Sequence, residues 1–109
     1  TQLNPSILFG RYFYEEYAVS LYTFMTFIED AAIYQVRAEN LDVAIETWVR
    51  KVVDPDYYEM NVEEAKDFIK EMLEYEEPVM VNDRMNVWCM THLLHDEVML
   101  IYIIKTEED

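Results

Sequence analysis

Glycine is almost missing from this sequence, with Gly10 the single copy, and proline occurs only at Pro5, Pro55 and Pro78. Tight hairpins ordinarily draw on Gly or Asn at positive φ, so this poverty argues against an all-β fold. One glycine also cannot build a phosphate-cradling loop. Cys89 is alone, which excludes an intrachain disulfide and a cysteine-rich zinc motif and fits a reducing compartment. Only eight Lys and Arg stand against 23 Asp and Glu, for a net charge of −15. A chain so short of positive charge does not hold nucleic acid through phosphate contacts, and an anionic membrane is disfavoured by the same sign. The longest uncharged stretch near the start, Tyr17 to Ile28, is too short to cross a bilayer as a helix. Thr1 to Gly10 lacks the basic and then apolar regions of a secretory signal. The expected location is cytoplasmic.

What is present is apolar and aromatic material. Apolar residues make up 52% of the 109 and aromatics 15%, enough to build one core in spite of the charge. Disordered acidic chains are poor in aromatics, so an ordered domain over 1–109 is expected. No internal repeat or low-complexity linker divides it.

The spacing predicts a small all-α bundle of about four helices. Phe9, Phe13, Tyr17, Leu21, Phe24 and Ile28 recur at intervals of three and four, as on one face of a helix from Pro5 or Ser6 to about Ala38. That helix has a potential break near Asp30. A second helix is expected from Leu41 to Val53, capped by Asn40, with Leu41, Ile45, Trp48, Val49 and Val52 as its stripe. Asp54-Pro55 ends it, and Asp56 to Met60 reads as a loop carrying Tyr57 and Tyr58. Asn61 with Glu64 resembles a capping box for a third helix, whose apolar stripe is Val62, Ala65, Phe68, Ile69, Met72 and Leu73. The stretch Asp83 to Lys105 has helical spacing at Met85, Trp88, His92 and Met99, and helix is preferred there. Val98 to Ile104 is nonetheless dense in β-branched and aromatic residues. The alternative is therefore an α+β fold with a C-terminal β-hairpin turning at His95-Asp96-Glu97.

The acids are unevenly placed. Residues 54–77 hold ten carboxylates against Lys66 and Lys70, a net −8. Within them Glu63, Asp67, Glu71 and Glu74 form a single stripe on the third helix, where like charges at i,i+4 repel. A solvated outer face accounts for such a stripe, and so does a row of negative charge presented to a basic groove. Tyr57 and Tyr58 beside carboxylates offer rigid contact area with a polar tip, and rim packing of a small core explains them as well.

Other chemistry finds little support. On a helix Cys89, His92 and Asp96 would share a face and supply thiolate, imidazole and carboxylate, but one helix rarely gives three metal ligands, and core packing is the plainer reading. No Glu is followed by His three residues later, which excludes a di-iron bundle pattern. Ser6 and Ser20 are the only serines and neither sits in a nucleophile elbow. Glu15 with Glu16, or Glu29 with Asp30, would pair as acid and base only if they shared a cleft. No catalytic residue, metal or cofactor is expected.

In composition the chain resembles the small acidic proteins that mobile genetic elements, phages among them, direct against host DNA-binding machinery. That resemblance implies an inhibitor that behaves as a DNA or RNA mimic. The expected activity is binding: the chain occupies the basic, nucleic-acid-binding surface of a partner protein through Glu63, Asp67, Glu71, Glu74, Tyr57 and Tyr58. The alternative is a structural or assembly subunit, a homodimer for instance, held together by an apolar surface.

Overall fold

The computed structural model describes residues 19–82 and 85–106. It is an α+β fold, not a helical bundle. A five-stranded antiparallel sheet carries two short helices on one side. Strands β1 (Ser20–Ile28) and β2 (Asp30–Ala38) form a hairpin. Helix α1 (Leu41–Thr47) and helix α2 (Val62–Glu74) follow, and then β3 (Val79–Met80), β4 (Val87–Leu94) and β5 (Glu97–Thr106). The strand order is β2-β1-β5-β4-β3, so the last strand returns to pair with the first.

Both strand hairpins correct helical expectations. Residues 20–38 do not continue one long helix, because Glu29 turns the chain back at φ 65. The part of that expected helix from Pro5 to Ala18 lies outside the described residues. The stretch from Val87 to Thr106 is the second hairpin, as the alternative reading had it. His95 and Asp96, at φ 52 and 65, form a two-residue turn of the mirror-image type. Glycine was not needed. His and Asp tolerate the left-handed region better than most residues, and the strands on either side hold them there. The β-branched run Val98 to Ile104 belongs to a central strand, hydrogen-bonded between β1 and β4, with Met99, Ile101 and Ile103 buried.

The two helices lie where the sequence places them. Asn40 caps α1 by accepting from the Val43 amide at 2.9 Å. The helix then widens into a π turn over Trp48–Val52, closed by the Val53 amide donating to Trp48 O at 2.9 Å. Asp54-Pro55 ends the element, and turns from Asp54 to Met60 carry Tyr57 and Tyr58. The capping box of α2 is complete: the Glu64 amide donates to Asn61 Oδ1 at 2.8 Å and the Asn61 amide to Glu64 Oε1 at 2.9 Å.

The core lies between the helices and the inner face of the sheet. Tyr22, Phe24, Val36, Met90, Met99, Ile101 and Ile103 meet Ala44, Ile45, Trp48 and Val49 from the first helical element and Phe68 and Met72 from α2. Trp48 is its centre. It stacks on Phe24 with ring centroids 4.8 Å apart and meets Tyr34 and Phe68 edge-on at 6.0 and 6.2 Å. Such pairs add about 0.5–1.5 kcal/mol each beyond their burial. The inner face is therefore the one that the helices cover.

Candidate functional site: an acidic layer with a tyrosine-lined cleft

The apolar side of α2 sits on the core through Phe68 and Met72, with Ala65, Ile69 and Leu73 beside them. That contact fixes the opposite side in solvent. Glu63, Asp67, Glu71 and Glu74 are all exposed, so the predicted stripe exists as a continuous surface row. Lys66 Nζ comes within 3.9 Å of Glu63, with both side chains largely in water, a pair that offsets little of the repulsion. Glu71 also leans toward the sheet, its Oε1 3.7 Å from Nε2 of the buried His92. Glu76 Oε2 lies 3.5 Å from the other ring nitrogen. His92 thus sits between two carboxylates, and its Nδ1 has no hydrogen bond.

A second concentration of charge stands at one end of the sheet, where three turns converge. A cleft of about 420 Å³ is bordered by Glu29 and Asp30 of the first hairpin, Glu59 of the Asp54–Met60 turns, and Glu97 of the second hairpin. Its apolar walls are Ile28, Leu94 and the two tyrosines. Three non-glycine residues at positive φ border it, Glu29, Glu59 and His95, and a fourth, Asp96, follows His95 in the turn. Backbone held in that region stores strain, and strained positions cluster at functional sites. Another cleft, of about 450 Å³, brings Asp42, Glu46 and Glu76 together between α1 and the end of α2.

Tyr57 and Tyr58 have different jobs. Tyr57 is half exposed and meets the Tyr58 ring edge-on at 4.9 Å. Tyr58 is buried, and its hydroxyl lies 2.7 Å from Thr26 Oγ1 and 2.9 Å from the Tyr34 hydroxyl. It is a strut that ties the turn to the sheet, and only Tyr57 offers contact area. Burial, reinforced by the Tyr58 hydroxyl, pushes the Tyr34 phenol well above the ordinary tyrosine range, so it stays protonated. His95 adds a second tie, with Nε2 3.1 Å from the Tyr58 carbonyl and Nδ1 3.6 Å from Glu64.

The helical face imagined for Cys89, His92 and Asp96 does not exist. On a strand, residues three apart point to opposite sides. Cys89 accordingly faces away from the helices, His92 faces into the core, and Asp96 belongs to the turn. No group of three or more His, Cys, Asp or Glu side chains among the described residues is placed to hold a metal. Glu29 and Asp30 do border one cleft, while Glu15 and Glu16 lie outside the described residues. The sequence reading missed the cleft altogether, because its carboxylates come from three separate turns.

None of the carboxylates among the described residues is buried. The outer face of the sheet, turned away from the helices, carries none at all. Its residues are Leu21, Thr23, Met25 and Phe27 of β1, Ala31, Ile33, Gln35 and Arg37 of β2, the alternate residues Val98 to Thr106 of β5, Val87 to Leu93 of β4, and Val79. Among the described residues, negative charge is thus confined to the helical layer and the sheet ends. The fold and site define a small α+β protein with an acidic layer on one side. No protein-family model, no curated protein and no solved structure matches the chain. No helix among the described residues is long and apolar enough to cross a membrane.

Proposed function

We propose that this chain is an acidic binding protein that occupies a basic, nucleic-acid-binding surface on a partner protein and keeps nucleic acid off it. The observation that carries this reading is the segregation of charge among the described residues: exposed carboxylates over the α2 layer and the turn cleft, none on the outer sheet face. A directed negative field speeds and orients encounter with a cationic groove. The helix under the α2 row is fixed because its opposite side is core, so the row is presented without a backbone ordering cost. Tyr57, at the edge of the acidic cleft, offers aromatic contact area of the kind that anchors interfaces. The reading assigns no catalytic step, and it places the protein in the cytoplasm, where a free thiol such as Cys89 persists.

The test is capture of a nucleic-acid-binding protein on the immobilised chain, followed by elution with salt and, separately, with an oligonucleotide. Both should release it, the first because charge pairs are screened and the second because the surfaces compete. A variant with Glu63→Gln, Asp67→Asn, Glu71→Gln and Glu74→Gln should release the partner at much lower salt. If the quadruple variant holds the partner as the parent does, or if the oligonucleotide and the chain bind it together, the α2 row is only a solvated face.

A further inference from the structure

The outer face of the sheet is the opposite of the helical layer in every respect. Among the described residues it is mostly apolar, with Arg37 its only charged side chain and Thr23, Gln35, Thr91 and Thr106 its polar ones. Ile33 on β2, Leu93 on β4, Val98 on β5 and Val79 on β3 are 65, 62, 62 and 65% exposed. Between them Met25, Phe27, Cys89, Leu100, Tyr102 and Ile104 are half-buried, with Phe27 and Tyr102 packed edge-on. Monomers rarely leave a patch of this kind in water.

We infer that this face is covered by the same face of a second copy, in a sheet-on-sheet homodimer. Charge selects that occupant. Two chains of −15 each repel wherever their acidic layers meet, and among the described residues this is the face on which two copies touch without opposing carboxylates. Sheets pack about 10 Å apart, so the two helical layers would stand roughly 30 Å from each other on opposite sides, several screening lengths at physiological salt. The size is also sufficient. Four strands about 4.8 Å apart and about eight residues long project roughly 500 Å² per copy, and two faces reach the ~1,000 Å² that a specific interface needs. A two-fold pairing is self-complementary and closed. The dimer would present two acidic layers facing outward, a bivalent form of the surface described above.

Sedimentation velocity on the full chain, from micromolar to millimolar concentration, tests this. The expected result is a shift from one chain to two, with Cys89 reacting more slowly with a thiol reagent as the dimer fills. Ile33→Glu with Leu93→Glu should weaken the dimer at least about 100-fold, since it puts four like charges into an apolar interface. Both side chains already face solvent, so far-UV circular dichroism should be unchanged. Val62→Glu, exposed on the helical side, should leave association as it was. A parent chain that stays monomeric throughout overturns the inference, as does a double variant that dimerises like the parent. A monomer whose Cys89 is protected at every concentration also overturns it, and would assign the cover to the chain's own first eighteen residues.

Discussion

Removing one oxygen from Tyr58 should loosen the wall of the acidic cleft, and the cost can be worked from its contacts. The hydroxyl joins Thr26 Oγ1 at 2.7 Å and Tyr34 at 2.9 Å. Tyr34 is partly buried and can recover its bond to water, so that loss is modest. Thr26 is completely buried and cannot. A hydrogen bond contributes about 1 kcal/mol net, and a buried hydroxyl left without its partner costs about 1–3 kcal/mol. Tyr58→Phe should therefore destabilise by about 2 kcal/mol. With a urea dependence of about 1–3 kcal/mol per molar, the unfolding midpoint should fall by roughly 1 M. Thr26→Val removes the stranded hydroxyl while keeping its shape, so the double variant should recover about 1 kcal/mol relative to the sum of the single changes. Urea unfolding followed by far-UV circular dichroism measures all four proteins. A Tyr58→Phe cost below about 0.5 kcal/mol, or strict additivity in the cycle, would refute the strut.

Three further outcomes follow from the same geometry. Asn61→Ala removes one half of the α2 capping box and should cost about 1 kcal/mol in thermal or urea unfolding, while Asn61→Ser should cost little. Asp96→Gly should stabilise the second hairpin by up to about 1 kcal/mol, because glycine adopts the positive φ of that turn without a steric cost; an unchanged or lower melting temperature would contradict the turn geometry. The Tyr34 phenol keeps its proton in the folded state above the ordinary value of 10.0, whereas the unfolded chain releases it there. Its contribution is thus present below pH 10 and is lost as pH rises beyond that, and Tyr34→Phe should remove this part of the alkaline slope. Difference ultraviolet titration of the parent against Tyr34→Phe should correspondingly show that the Tyr34 phenol ionises above the ordinary tyrosine range.

The two helices were legible because each carries its own local instructions. Asn40, and Asn61 with Glu64, satisfy amides a few residues away, and the stripes around Trp48 and Phe68 recur at the helical period. The α2 acid row was legible for the same reason, since it lies on one regular element. The strands were not. A half-buried strand announces itself by alternation, but β1 is apolar on both faces, and Leu21, Phe24 and Ile28 fall by coincidence at helical intervals. Scarcity of glycine misled in the same direction, because Glu29, His95 and Asp96 hold positive φ without it.

The sequence alone determined the quantities that sum over residues or act within a few of them: the charge of −15, the two caps, the end of the first helical element at Asp54-Pro55 and the acid row on α2. Tertiary structure decided everything that depends on pairing distant segments. β5 lies between β1 and β4 only after some eighty residues have been folded back, and with that pairing came the second hairpin, the burial of His92 and the separation of an acidic layer from an acid-free face. The cleft beside Tyr57 joins residues near 29, 59 and 97. Their proximity is a property of the closed sheet, whose strand contacts are long-range and leave no local mark on the sequences they join.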